Sequence, residues 1–206
     1  MADQASADAG EAAAIRVLPA SGERFEDLAS VLRPRNQDSS ACWCVAYRLP
    51  NRAAFSVGGR EEYMRGLCES DSPPGVLAYV GDAAAGWCSV SPRSGLSRLV
   101  NSRTIPRVDD EPVWSVICFV VRAGYRRRGV ASALLAGAVE YAHAQGARIV
   151  EGYPLDTQGA KLSSTFAYVG TVSMFERAGF QRVMPTTSSH SGVLRWVMRH
   201  GAAPST

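Results

Sequence analysis

The stretch that decides the reading is Val116-Ile117-Cys118-Phe119-Val120-Val121-Arg122-Ala123-Gly124-Tyr125-Arg126-Arg127-Arg128-Gly129-Val130-Ala131-Ser132-Ala133-Leu134-Leu135. It reads as strand, tight basic turn and helix. Ile117 to Val121 are β-branched, aromatic or small apolar residues, as a buried strand requires. Arg122-Ala123-Gly124 ends the strand. From Val130 the period changes. Val130, Ala133, Leu134, Gly137, Ala138, Tyr141 and Ala142 recur at the three-and-four spacing of one helix face, and Gly146 is the predicted stop.

Arg126-Arg127-Arg128-Gly129-Val130-Ala131 joins the two elements. Residues Arg127 to Ala131 open the helix with backbone N–H groups that have no intrahelical partner. Gly129 has no Cβ, so an anion can approach the backbone closely. The helix dipole and three guanidinium groups add positive potential. The physics suits a diphosphate. Taken alone, the arginine run reads as a solvated basic turn ahead of a helix.

Arg126, Gly129 and Ala131 form the pattern Arg-x-x-Gly-x-Ala after an apolar strand. This resembles the coenzyme A pyrophosphate loop of the GNAT superfamily of N-acetyltransferases. Downstream, Val172-Ser173-Met174-Phe175-Glu176-Arg177-Ala178-Gly179-Phe180 resembles the short helix of that family that ends in Gly-Phe. A strand candidate lies between the two. The specific resemblance covers about Val113 to Val183; upstream, only the element order is compatible.

The resemblance implies a mixed α/β fold, with a central, mostly antiparallel sheet, splayed strands and flanking helices. It implies acetyl-CoA, or another acyl-CoA, as co-substrate. The pantetheine arm would lie in the splay against Phe119, Val120 and Val121, with a backbone N–H near Phe119 polarising the thioester carbonyl. The pyrophosphate would sit on the turn, which assigns Arg126, Arg127, Arg128, Gly129, Val130, Ala131 and Ser132 to coenzyme binding. An acceptor amine would attack directly. A base is useful because a lysine-like amine titrates near ~10.4. The glutamate that the family often carries on the central strand aligns with Ser115. The tyrosine it often uses as an acid aligns with Phe175, and its frequent asparagine seven residues earlier aligns with Tyr168. Glu151, on the strand beside the splay, is the substitute base, weighed against a structural pairing with Arg148 or another arginine. Tyr168 is the candidate acid and Ser115 a holder of a relaying water. Strand alternation puts Ser115 and Cys118 on opposite faces.

The chain has 206 residues and a formal charge of +3. That length suits one domain with a substantial core, over residues 15–200, between a disordered leader at 1–14 and a tail at 201–206. The charge is too small to argue for a nucleic-acid protein. Lys161 is the sole lysine. There is no run of 18 apolar residues, hence no predicted membrane span. The leader lacks a basic start and an apolar core, so it does not read as a signal peptide. Five cysteines in irregular spacing suggest reduced thiols and a cytoplasmic location.

Ala14 to Leu18 reads as the first strand. Ser21 is a candidate cap for a helix through Leu32, which Pro34 ends. In Cys42-Trp43-Cys44 the two cysteines lack two further metal ligands, so no metal is expected. Trp43 and Tyr47 are wall residues, and the resemblance places them at the acceptor pocket. Gly59 to Glu69 reads as a second helix with Tyr63, Met64 and Leu67 inward. Val76 to Val80 and Ala85 to Val90 form a hairpin. A short helix is expected near Leu96 to Val100, and Asp109-Asp110-Glu111 reads as solvated loop. Ala147 to Tyr153 is a strand that Pro154 stops. Thr171 to Ala178 is the short helix. Phe180 to Val183 and Gly192 to Met198 form the last antiparallel pair.

The leading expectation is therefore a cytoplasmic acyl-CoA-dependent N-acetyltransferase. Its partner would be a small-molecule amine, with no nucleic acid and no membrane, and a homodimer is compatible. The alternative is a catalytically degenerate acyl-CoA-binding regulatory protein, motivated by Ser115 and Phe175. A nucleic-acid module reading Arg126 to Arg128 is the weakest, and would show steep salt dependence.

Overall fold

The structure, a computed structural model, describes residues 14–34, 41–50, 59–158, 167–190 and 192–201. Most of the expected leader and of the expected tail lies outside the described residues. In chain order the elements are β1 (Ile15–Pro19), α1 (Phe25–Leu32), α2 (Arg60–Cys68), β2 (Gly75–Val80), β3 (Ala83–Pro92), α3 (Ser97–Val100), β4 (Val113–Val121), α4 (Val130–Ala144), β5 (Ile149–Gly152), α5 (Val172–Arg177), β6 (Gln181–His190) and β7 (Val193–Gly201). The strands form one seven-stranded sheet in the order β1-β2-β3-β4-β5-β7-β6. Only β4 and β5 pair in parallel; every other neighbouring pair is antiparallel.

The apolar face of α4 explains the first core. Val130, Leu134, Leu135, Ala138 and Ala142 pack on Val76, Val90, Trp114, Val116 and Phe119. The opposite sheet face is covered by α1 and the 41–50 segment, through Phe25, Leu28, Trp43 and Val45 against Leu77 and Trp87. A third cluster, Leu96, Leu99, Ile105, Ile117, Tyr153 and Val197, fills the same side further along the sheet. Burying these side chains supplies the stabilisation, at roughly 25 cal/mol per Å² of apolar surface. No described helix is long and apolar enough to cross a membrane.

Several local expectations change. Ser21 makes no cap bond to the backbone; its hydroxyl instead accepts from Arg24 at 2.9 Å, and a 3-10 turn over Gly22–Arg24 precedes α1. Tyr63 is 37% exposed, while Met64 and Cys68 carry the inward face of α2. Thr171 does cap α5, accepting from the Met174 N–H at 3.3 Å.

Alternation along β4 is broken by a bulge. Ser89 pairs with Cys118 and Val90 with Val116, which leaves Ile117 as an extra residue. An extra residue resets the pleat. Trp114, Val116 and Phe119 consequently face α4, whereas Ile117 and Cys118 share the other side with Tyr153. Ser115 bonds to Tyr153 on that side too. The expected opposition of Ser115 and Cys118 is thus corrected: both lie on one face.

Candidate active site

The splay has a visible cause. β4 and β5 pair from Val113↔Ile149 to Val116↔Gly152 and no further, while β4 runs on to Val121. Pro154 has no N–H to offer a β ladder. Past Gly152 the chain bonds elsewhere: Trp196 N–H donates to the Pro154 carbonyl, Asp156 N–H to Leu194 and Leu155 N–H to Gly170. The last half of β4 is left beside an open cleft of about 900 Å³.

Phe119, Val120, Val121, Arg126, Arg127, Gly129, Val130, Ala131, Ser132 and Tyr168 all line this cleft. Ten of the expected residues are therefore brought together. Arg128 is not among the lining residues; its guanidinium lies over the Tyr125 ring, 5.6 Å from the centroid. Arg126 Nε donates to the Val121 carbonyl at 3.2 Å and so fixes the turn to the strand end. Arg127 and Gly129 have φ of 59° and 81°, in the left-handed region that glycine tolerates best. A side chain added at Gly129 would meet only the Ile15 side chain, at 3.9 Å. The backbone there is open to a ligand. The first bond of α4 runs from Ala133 N–H to the Gly129 carbonyl, so the amides of Val130, Ala131 and Ser132 precede the ladder and remain available to an anion. These features fit a coenzyme A pyrophosphate.

Two further cavities meet the cleft at Tyr168. One, of about 490 Å³, is mainly apolar and includes Leu32, Trp43, Tyr47, Ile117, Cys118 and Val120. The other, of about 200 Å³, is polar and includes Tyr47, Arg98, Ser102, Thr104, Ser188 and Arg195. Trp43 stacks parallel on Phe25, with centroids 6.1 Å apart. Trp43 and Cys44 both adopt left-handed φ, 51° and 53°, a conformation that must be held by its surroundings. The Trp43 stack and a bond from Trp87 Nε1 to the Cys44 sulfur, 3.3 Å, provide the hold. The neighbouring Cys44 thiol, together with burial, raises the Cys118 thiol well above its ordinary value. An inert thiol is the consequence. Among the described residues no group of three or more His, Cys, Asp or Glu side chains could hold a metal.

Tyr168 is 37% exposed. Burial raises its phenol pKa above the ordinary value; Tyr47 and Cys118 act in the same direction, and Arg195 and Arg98 oppose them. The phenol therefore keeps its proton near neutrality, the state an acid requires. Phe175 is instead a core residue, 1% exposed, edge-on to Phe119 and Phe180 and seated against Gly152, where any Cβ would strike its ring.

Glu151 and Ser115 sit apart from the three cavities. The Glu151 carboxylate is 1% exposed. One oxygen accepts from Arg199 Nε at 2.9 Å and lies 2.8 Å from its Nη2 in an ion pair. The other accepts from Tyr153 Oη at 2.8 Å and Arg93 Nη1 at 3.2 Å. Ser115 Oγ bonds to Tyr153 Oη at 2.9 Å. A base needs a lone pair aimed at its substrate, and here the lone pairs are spent on two guanidinium groups and a phenol. The role expected of Glu151 passes to structure: it fastens β5 to β7 and to the 93–105 segment. Asp109, expected in solvated loop, extends this network, accepting from Arg199 at 2.5 and 2.9 Å; that contact lowers its carboxyl pKa from the ordinary 3.8, against some burial.

Sequence reasoning missed Arg98 and Arg195. Arg195 carried a signal. It lies two residues from the buried Val197 on a strand, so alternation puts its charge on a core-facing side. Arg98 carried none.

A family model described as "Acetyltransferase (GNAT) family" matches residues 43–158. An acetyltransferase of the GNAT family from Streptococcus pneumoniae superposes with a TM-score of 0.52 at 15% identity, over 91% of this chain and 98% of that one. A structure described as histone acetyltransferase HPA2 and related acetyltransferase, from Corynebacterium glutamicum, gives 0.51 at 18% identity, over 93% and 98%. Arabidopsis thaliana NAA60 in complex with acetyl-CoA gives 0.51 at 14% identity, over 92% and 100%. No curated protein matches the sequence. The chain belongs to the GNAT family of acetyltransferases. Membership implies acyl-CoA-dependent acetyl transfer.

Proposed function

We propose that this chain acetylates the amine of a small molecule by direct attack on acetyl-CoA. The supporting observation is the meeting of the coenzyme-like cleft with two further cavities at Tyr168. The α4 amides and Arg126–Arg127 hold the pyrophosphate, and the free edge of β4 from Phe119 to Val121 holds the pantetheine arm. A backbone N–H near Phe119 stabilises the oxyanion. The neutral amine nitrogen attacks the thioester carbon, the C–S bond breaks and Tyr168 gives its proton to the departing thiolate. The nitrogen gives its surplus proton to water, and Tyr168 is reprotonated from water.

The described residues lining the three cavities include no carboxylate. Arg98 and Arg195 take over part of the base's work, because a positive field favours the neutral form of a nearby amine. The five free cysteines suit a reducing compartment, and we place the enzyme in the cytoplasm.

Thermal unfolding with and without CoA, followed by thiol release from acetyl-CoA with an amine panel, tests this. CoA should raise the Tm by linkage, and at least one small amine should release thiol above background. The second reading, a binding protein without turnover, draws on Phe175 and Glu151 being locked in the core. It predicts the Tm shift with no thiol release.

A further inference from the structure

One guanidinium that lines the polar cavity, that of Arg195, has an unpaired nitrogen. Arg195 is 7% exposed. Its Nε donates to the Tyr153 carbonyl at 2.9 Å and its Nη1 to Tyr47 Oη at 3.3 Å. Its Nη2 is buried with no hydrogen-bond partner among the described residues. The other buried orphans among the described residues are single Nε–H groups, on Arg48, Arg60 and Arg93. Nη2 is a terminal donor with two hydrogens, and leaving such a group unpaired is costly. Arg98 lines the same cavity, and Ser102, Thr104 and Ser188 add hydroxyls. No described lining residue is acidic. A cavity of about 200 Å³ with this lining suits one small anion, and a guanidinium fork suits a carboxylate best.

The arrangement of the cavities says what carries that carboxylate. The polar cavity, the apolar cavity with Trp43 and the coenzyme-like cleft all share Tyr168. An α-amino acid has the matching shape: amine, carboxylate and side chain radiate from one carbon. Resting on the acetyl-transfer reading above, we infer that the acceptor is an α-amino acid with an apolar side chain. Its carboxylate is held by Arg195 and Arg98, its side chain fills the Trp43 pocket and its amine lies at Tyr168, facing the thioester. Arg195 and Arg98 are then the residues that set acceptor specificity.

The test compares L-phenylalanine and L-leucine with phenethylamine, isoamylamine and L-phenylalaninamide as acceptors, by thiol release from acetyl-CoA. The free amino acids should exceed their decarboxylated and amidated partners in kcat/KM by roughly 10²-fold or more, since a buried donor left unpaired penalises the analogue that lacks its partner. Arg195→Gln should bring the ratio towards one, with Arg195→Lys between. Should Arg195→Gln fail to fold, the exposed Arg98→Gln should narrow the ratio in the same direction. Equal use of amine and amino acid, or use of peptide amines alone, overturns the inference. If CoA binds and no acceptor turns over, calorimetry on the CoA-saturated protein decides. Binding of N-acetyl-L-phenylalanine but not N-acetylphenethylamine supports the carboxylate site, and binding of neither refutes it. A chain that binds L-phenylalanine but no CoA keeps this site and loses the transferase reading; a chain that binds neither loses both.

Discussion

Glu151→Gln separates a catalytic role from a structural one. The substitution keeps the shape and removes the charge. Two guanidinium groups, Arg93 and Arg199, with side chains 8% and 4% exposed, would then share a buried site without their counter-ion. Breaking a buried ion pair by removing one partner costs about 3–5 kcal/mol. Asp109 still faces Arg199 at 2.5 Å, which favours the lower end. An unfolding entropy of about 2.1 cal/mol/K per residue gives about 0.43 kcal/mol/K for 206 residues, so the Tm should fall by roughly 7–12 °C. The assay is thermal unfolding with and without saturating CoA, paired with turnover at 20 °C or so, well below the transition. The folded variant should keep its kcat within roughly 10-fold, because general-base loss would cost about 10²–10⁴. An unchanged Tm with a loss of that size would show that Glu151 is the base and that the network has been misread.

Gly129→Val forces a β-branched residue into a φ of 81° and covers the open backbone. The CoA-induced Tm shift should vanish while the far-ultraviolet dichroism is retained, and tight CoA binding would sink the turn assignment. Tyr168→Phe should slow acetyl transfer by roughly 10²-fold with little change in CoA affinity, most for the most basic leaving thiolate; an unaltered kcat removes Tyr168 as the acid. Burial, with His143 alongside, lowers the His200 pKa from its ordinary 6.5. The unfolded chain therefore binds this proton more readily than the folded one. Stability should be full above about pH 6.5 and decline as the pH falls below that value, and His200→Gln should flatten the decline measured by denaturant titration.

What could be read in the sequence was local. The strand, basic turn and helix from Val113 to Ala144 declare themselves through a change of period and one glycine. The open edge of β4 follows from Pro154, which any reader of the chain can see. The bulge at Ile117 was hidden because it depends on how β3 is registered against β4, and its effect was to carry Cys118 to the face of Ser115. The partners of Glu151 were hidden for a similar reason: Arg93 and Arg199 lie 58 and 48 residues away. Pairing with an arginine was foreseeable, but only tertiary structure chooses which. Arg98 became legible only once three cavities were seen to converge.

Arg93 has a consequence beyond its ion pair. Its Nη2 donates to the carbonyls of Leu99 and Ile105, at 3.3 and 3.1 Å, while Leu96, Leu99 and Ile105 anchor the same segment in apolar contact. Arg98 and Thr104 line the polar cavity, and Ser102, which lines it too, accepts from the Ile105 N–H at 3.0 Å and so belongs to the latch. The stretch from 93 to 105 behaves as a cartridge, latched from within and lettered on the outside. Descendants of this chain could rewrite Arg98 and Thr104 to suit a new acceptor while the latch stays closed. Recognition can then drift at little expense to the melting temperature.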